Sequence, residues 1–401
     1  MSKNIVLLLD GSSNEIAADR TNVLRLFGTL EHSERQVVWY DPGVGTFGAD
    51  ESWSSIGHKT LEVWGLLTGW GLDHNVKEAY RFLVEHYDQG PAQDGRHPDR
   101  DRIYLFGFSR GAYTARVLAG FIHAFGLMSP IHLNLLDYAY RTYKDISLSP
   151  KNGADMGRRG AEPLDPFATM RLYERTLQND RPPIKLLGLF DTVASVIEKG
   201  NGRIQFRTHP FTDSNPSVEW VRHAVSIDER RTVFRPELWT PGQDYRGNPF
   251  APPQGPQNVK EVWFAGAHGD VGGGYPEAES GQIKIALDWM IRETEPAGLH
   301  YRNATIRRIV LGQSGDGYVA LDPLAKIHDT MTRPWRLLEA IPRRVPKSSF
   351  RKNGKEGGVY IPCVDPRLIP EGALLHDTVK TRLEAGSYKP PNLPVEYQYV
   401  P

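Results

Sequence analysis

The sequence predicts an α/β protein: a mostly parallel central sheet, helices on both faces and an irregular cap insertion. Three observations carry this. Short uninterrupted apolar runs alternate with amphipathic stretches of helical period, the pattern of strands buried on both faces and joined by crossover helices. The unusual loops, rich in Gly, Asp and Ser, all follow such runs, so they converge on the carboxyl edge of one sheet, where open α/β sheets place their sites. One of these junctions, Gly107-Phe108-Ser109-Arg110-Gly111, fits G-x-S-x-G between a strand and a helix.

Taken in order, Asn4–Leu9 (NIVLLL) reads as a buried strand that turns outward at Asp10-Gly11-Ser12. Thr21–Leu30 has a helical rhythm, with Thr21 or Asn22 as its cap. Gln36–Tyr40 is a second strand, followed by the Gly-rich Asp41–Thr46, and Leu72–Tyr87 is an amphipathic helix with Asp73 as a candidate cap. A polar loop, Asp88–Arg100, leads to the strand Ile103–Phe106 and to a helix that runs on from Ala112 through Ile122. Leu133–Tyr143 and Pro166–Leu177 read as helices around a Gly- and charge-rich insert, Pro150–Glu162, expected to be mobile or the edge of a lid. Ile184–Phe190 is a strand ending in Asp191. The Pro- and aromatic-rich Val196–Gln257 is too long for a simple connection and is expected to cap the site. Val259–Ala265 is the last clear core strand; it opens into His268-Gly269-Asp270 and a Gly-rich turn, then a helix over Ile283–Arg292. Pro323–Ile341 is expected to contain helix, and the tail after Pro342 is basic and Pro/Gly-rich. The domain reading is therefore 1–300 as the catalytic core, with cap insertions around 145–183 and 196–258, and 301–401 as an extension packed on it.

Composition excludes several classes. Lys+Arg and Asp+Glu both number 48, so no charge excess points to nucleic acid. The single Cys363 rules out an internal disulfide framework and Cys-rich zinc sites, and is expected to be a packing residue. No basic-then-apolar leader opens the chain and no run approaches the roughly 20 apolar residues of a membrane helix. The expectation is synthesis in the cytoplasm, with export by a signal-independent route left open.

The G-x-S-x-G junction has the strand-before, helix-after context of a nucleophile elbow, which points to an α/β-hydrolase-like fold. A serine hydroxyl needs an adjacent base, and the base an orienting acid. In α/β-hydrolases these come in the order Ser, acid, His. After Ser109 the chain offers Asp191 at one strand end and His268 at a later one; Asp228 and Asp270 are competing or supporting acids, and His223 is the second-choice base. The oxyanion donors expected are the amide of Arg110 and one from the loop after Asp10, Gly11 or Ser12.

Asp10-Gly11, Thr21-Asn22-Val23, Tyr40–Thr46, Gly107–Ala112, Phe190-Asp191-Thr192-Val193, Asp228-Glu229-Arg230-Arg231 and His268–Tyr275 together resemble the α/β-hydrolase domain of type VI secretion phospholipase effectors of the first lipase-effector group. The likeness covers about Lys3 to Arg292. It implies Ser109, Asp191 and His268 as a catalytic triad with no cofactor, and phospholipase A-type ester hydrolysis. The implied partners are an ester or lipid substrate, a transient membrane-surface contact and a delivery or immunity protein of unknown identity. The aromatic-bearing Phe206–Trp239 is a candidate acyl site.

Two other classes compete. A metal-dependent hydrolase or phosphatase would use Asp10, Asp191, His268 and Asp270, although the second acid of an aspartyl-phosphate phosphatase is replaced by Ser12. A non-catalytic binding module on the same scaffold is the third reading.

Overall fold

The computed structural model describes residues 2–11, 20–43, 71–94, 97–146, 166–177, 179–193, 196–200, 203–207, 209–313, 315–344 and 359–401. Eight strands form one sheet: β1 (Asn4–Leu9), β2 (Gln36–Asp41), β3 (Arg102–Phe108), β4 (Ile184–Phe190), β5 (Val218–Ser226), β6 (Asn258–Phe264), β7 (Ala373–His376) and β8 (Tyr397–Val400). Their spatial order is β2-β1-β3-β4-β5-β6-β7-β8, and every neighbouring pair is parallel. The order reverses between β1 and β3. Loops leaving those two strands diverge there, which opens a crevice at the carboxyl edge.

The apolar runs behave as their composition requires. All six residues of β1 are buried, because alternate side chains enter different cores. Ile5, Leu7, Ile103, Leu105 and Leu187 face a layer built from the helices α2 (Leu72–His86), α3 (Arg110–Phe125) and α4 (Leu136–Ile146). Val6, Leu8, Tyr104, Phe106 and Leu186 face the opposite layer, built from α1 (Asn22–Thr29) and a helix over Ile283–Thr294. Another helix, α5 (Pro166–Leu177), lies beside α3, bringing Tyr173 edge-on to Phe125 with ring centroids 4.5 Å apart. The α/β-hydrolase-like class expected from the sequence is thus the class observed.

Several expectations are corrected. The span 196–258, read as cap throughout, contains β5, which lies in the middle of the sheet between β4 and β6. Its sequence, VEWVRHAVS, hides the strand because polar side chains are buried in it: Arg222 pairs with Glu293 at 2.8 Å, and His223 hydrogen-bonds Glu261 at 2.8 Å. Val259–Ala265 is not the last core strand, since β7 and β8 from the 301–401 stretch extend the sheet beyond it. Thr21 caps α1, accepting from the Leu24 amide at 3.0 Å, whereas the N-cap of α2 is Gly71 and Asp73, in its first turn, accepts from Tyr140 at 3.0 Å and from Lys144. Cys363 is exposed, not packed. The Pro150–Glu162 insert, Ser12 and most of the loop after β2 lie outside the described residues. Among the described residues no helix is long and apolar enough to cross a membrane.

Candidate active site

The register of the strands brings the predicted loops together. Leu9 pairs with Gly107, Phe108 with Phe190, Phe190 with Ala224 and Ser226 with Phe264. Asp10, Ser109, Asp191 and the loop to His268 therefore leave the sheet at one level.

Ser109 occupies the turn between β3 and α3 with φ +57° and ψ −119°, a conformation that costs a non-glycine residue roughly 1–3 kcal/mol. Surrounding contacts hold it: its amide donates to Phe190 O at 3.0 Å and its carbonyl accepts from Tyr113 N at 3.2 Å. The flanking glycines are sterically required. A Cβ on Gly107 would lie 2.4 Å from Gly111 O, and one on Gly111 would lie 2.1 Å from Leu9 O. Strand and helix cross here closer than any side chain permits.

His268 opens a short helix, His268–Gly272, whose start is fixed by Asp270 accepting the Ala267 amide at 2.8 Å. Its Nε2 lies 2.8 Å from Ser109 Oγ, and its Nδ1 lies 2.5 Å from Asp191 Oδ2. With Nδ1–H donating to the carboxylate, Nε2 is left to accept the serine proton. Phe108 and Phe234 flank the ring, their centroids 4.7 and 5.1 Å from it.

Asp191 is fully buried and, like Ser109, has a positive φ of +41°. Its Oδ1 accepts from the Ser226 amide at 2.9 Å and from Arg367 Nη1 at 2.5 Å; Oδ2 accepts from Arg367 Nη2 at 2.9 Å besides His268. Burial alone would raise this carboxyl's pKa, but the Arg367 charge and the His268 hydrogen bond outweigh it and hold the group well below the usual carboxylate range. Arg367 escaped the sequence reading because nothing in Asp365-Pro366-Arg367-Leu368 marks it and its partner is 176 residues away. Glu229, part of the family-like Asp-Glu-Arg-Arg block, accepts the His268 amide at 3.2 Å and pairs with Arg231 at 2.8 Å.

The remaining candidates sit elsewhere. Asp228 accepts from the Gly266 amide at 2.7 Å and from Tyr388 at 2.8 Å, and so braces the loop before His268. Asp270 is paired with His328 at 2.5 Å. Asp10 accepts from Gly11 N at 2.6 Å, from Tyr40 at 2.8 Å and from Thr21. It ties the β1 loop to α1 and β2. His223 is buried inside β5 and accepts the Thr192 amide at 3.1 Å, so it is a structural link and not the base. Asp10, Asp191, His268 and Asp270 are not gathered as a ligand set, and among the described residues no group of three or more His, Cys, Asp or Glu side chains is placed to hold a metal. Arg110 opens α3; burial lowers its pKa to about 10.

The parallel sheet, its topological switch and the elbow at Ser109 define an α/β-hydrolase-like protein. Within that class, residues 3–293 match the family described as the catalytic domain of Tle1-like phospholipase effectors of the type VI secretion system, and the chain belongs to this family. The uncharacterized protein YEL023C of Saccharomyces cerevisiae is 34% identical over 250 residues, covering 60% of this chain and 33% of its own length. Among solved structures, an uncharacterized protein from Pseudomonas aeruginosa is 20% identical with a TM-score of 0.46, covering 80% of this chain and 49% of that one. The Tle1 effector bound to the VgrG spike of the type VI secretion system is 17% identical with a TM-score of 0.33, covering 70% of this chain and 52% of that one. The chain thus spans between a third and about half the length of these relatives.

Proposed function

We propose that this protein is a serine esterase or lipase that cleaves carboxylic esters, phospholipid acyl esters foremost, through Ser109, His268 and Asp191. The observation that carries the reading is the hydrogen-bonded chain from Ser109 Oγ to His268 Nε2 at 2.8 Å and from His268 Nδ1 to Asp191 at 2.5 Å, mounted on a strained elbow. Membership of a phospholipase effector family supports the lipid substrate, and it supports a delivery partner as well.

In this mechanism Ser109 Oγ attacks the ester carbonyl carbon as its proton passes to His268 Nε2. The C–O bond to the alcohol breaks, the alcohol leaves with that proton, and the acyl group stays on Ser109. Water then repeats the attack through the same base and releases the acid. Asp191 steadies the imidazolium formed in each half. The Arg110 amide supplies one donor to the oxyanion. The second comes from the β1 loop, from Gly11 or Ser12; Gly11 serves only by exchanging Asp10 Oδ1 for the substrate oxygen.

The test is a panel of esters and phospholipids of varied chain length, assayed with wild type and Ser109→Ala, together with labelling by a fluorophosphonate probe. Wild type should be labelled at Ser109, and the variant should lose on the order of 10⁴-fold or more in turnover. Full ester hydrolysis by Ser109→Ala would end the proposal.

A further inference from the structure

We infer that Arg367, which lies beyond the matched family region, is a positioning residue for this site: its guanidinium clamps both oxygens of Asp191 and fixes the aim of that carboxylate at His268. The inference rests on the hydrolase reading above and assigns part of the site to the C-terminal stretch, 74 residues past the end of the family match at residue 293 (367 less 293).

Five features support it. The contact is a two-bond fork, Nη1 to Oδ1 at 2.5 Å and Nη2 to Oδ2 at 2.9 Å, which removes the rotational freedom a single bond would leave. The guanidinium is itself fixed from other sides, donating to Ser226 O at 3.0 Å, Ser226 Oγ at 2.7 Å and Phe234 O at 2.6 Å. Its backbone is tied down by Asn392, whose Nδ2 donates to both Arg367 O at 3.0 Å and Ile227 O at 3.1 Å. Arg367 is 6% exposed and Asp191 fully enclosed, so the pair acts without water between them. Since Asp191 stands on a strained backbone at φ +41°, its side chain needs such external support to keep one direction.

The clamp also sets the charge that His268 meets. Asp191 with Arg367 is one opposed pair and Glu229 with Arg231 a second. Asp270 on the helix of His268 is matched by His328, and Asp228 braces the preceding loop through Gly266. Phe108 and Phe234 contribute no charge. Without Arg367, the Asp191 charge would act on His268 unopposed and favour the imidazolium.

The experiment compares wild type, Arg367→Lys and Arg367→Gln by kcat and KM on a soluble p-nitrophenyl ester, by pH profile and by the rate of fluorophosphonate labelling, with thermal unfolding alongside. Arg367→Lys keeps the charge and loses the fork; kcat should fall by about 10- to 100-fold at unchanged KM, with the acid limb of kcat/KM where wild type has it. Arg367→Gln loses both, and its acid limb should move up relative to wild type. Wild-type kcat in either variant overturns the inference, and so does a loss in both that follows the fall in Tm with no movement of the Arg367→Gln acid limb. If Arg367→Gln does not fold, kcat of Arg367→Lys decides alone. Failure of the underlying reading looks different: wild type is then not labelled and Ser109→Ala hydrolyses the ester normally, which removes this inference too. Wild type labelled at Ser109, with Arg367 variants labelled equally fast, sinks only the role of Arg367.

Discussion

Asp191→Asn changes a single atom at the most enclosed point of the site, and its consequences can be worked from the contacts. The carboxylate accepts four hydrogen bonds: Ser226 N at 2.9 Å, His268 Nδ1 at 2.5 Å and Arg367 at 2.5 and 2.9 Å. All four partners are donors, while an amide offers one oxygen and one NH₂. With its NH₂ toward His268, Asn forces Nδ1 to accept and moves the ring proton to Nε2, where it faces Ser109 and blocks proton transfer. With its NH₂ toward Ser226 it confronts that amide, and in either position the NH₂ also meets one Arg367 nitrogen. The first orientation predicts a loss in kcat of about 10⁴, by analogy with the same change in other triads, or about 5 kcal/mol in barrier. Either orientation leaves the Arg367 guanidinium buried without its counter-charge, a cost of about 3–5 kcal/mol and a fall in Tm on the order of 10 °C. The pH dependence has a definite sign. The folded carboxyl titrates below its unfolded value near 3.9, so its stabilisation is complete above that value and is lost as pH falls toward the folded pKa. The stability gap between wild type and Asp191→Asn should therefore narrow in acid, below about pH 4. Ester hydrolysis and denaturant melts at several pH values measure both effects. Turnover within tenfold of wild type would refute the claim that Asp191 sets the tautomer of His268.

Gly111→Ala places a Cβ 2.1 Å from Leu9 O and 2.4 Å from Asp10 O, backbone atoms that cannot swing aside; stability should fall by about 1–3 kcal/mol or more, with activity following it, and an unchanged melt would contradict the close crossing. Tyr40→Phe removes the hydroxyl that donates to Asp10 at 2.8 Å and should cost about 1.5–3 kcal/mol in a denaturant melt. His328 bridges Asp270 and Glu279; burial disfavours its charge, but the two carboxylates outweigh this and raise its pKa. His328→Gln should therefore destabilise most below about pH 6.5, with the gap closing as pH rises through the raised folded pKa; a gap of constant size between pH 6 and pH 9 would contradict this.

The groups proposed to act were legible in the sequence because each needs a local arrangement of its own chain. Ser109 must stand on a sharp turn, so glycines at 107 and 111 announce it; Asp191 ends an apolar strand, and His268 sits in a Gly-flanked loop. The central strands β1, β3 and β4 were legible for a related reason, since burial on both faces demands an unbroken apolar run. β5 was missed because the interior satisfies polar residues through partners far along the chain, as Arg222 does with Glu293 and His223 with Glu261. β7 and β8 were missed because four-residue strands near a sheet edge carry too few side chains to show a period.

The same division explains why orienting groups are harder to read than reacting ones. A reacting side chain is specified by backbone geometry, which leaves a trace in the residues beside it. An orienting side chain is specified by its distance to another side chain, and any stretch of chain that reaches the spot can supply it. Arg367 arrives on an irregular segment between Pro366 and the buried Ile369, placed by Asn392, Phe234 and the strand residues it approaches. Truncation should expose this dependence. A chain ending near residue 300 keeps Ser109, Asp191 and His268 but loses Arg367, β7 and β8 together. It also uncovers the apolar side chains of β6 that pack against Leu375 and Val379, Trp263 among them. Such a chain should therefore be less soluble and lose esterase activity by more than Arg367→Gln alone; if it folds with wild-type turnover, the extension contributes neither core nor carboxylate support.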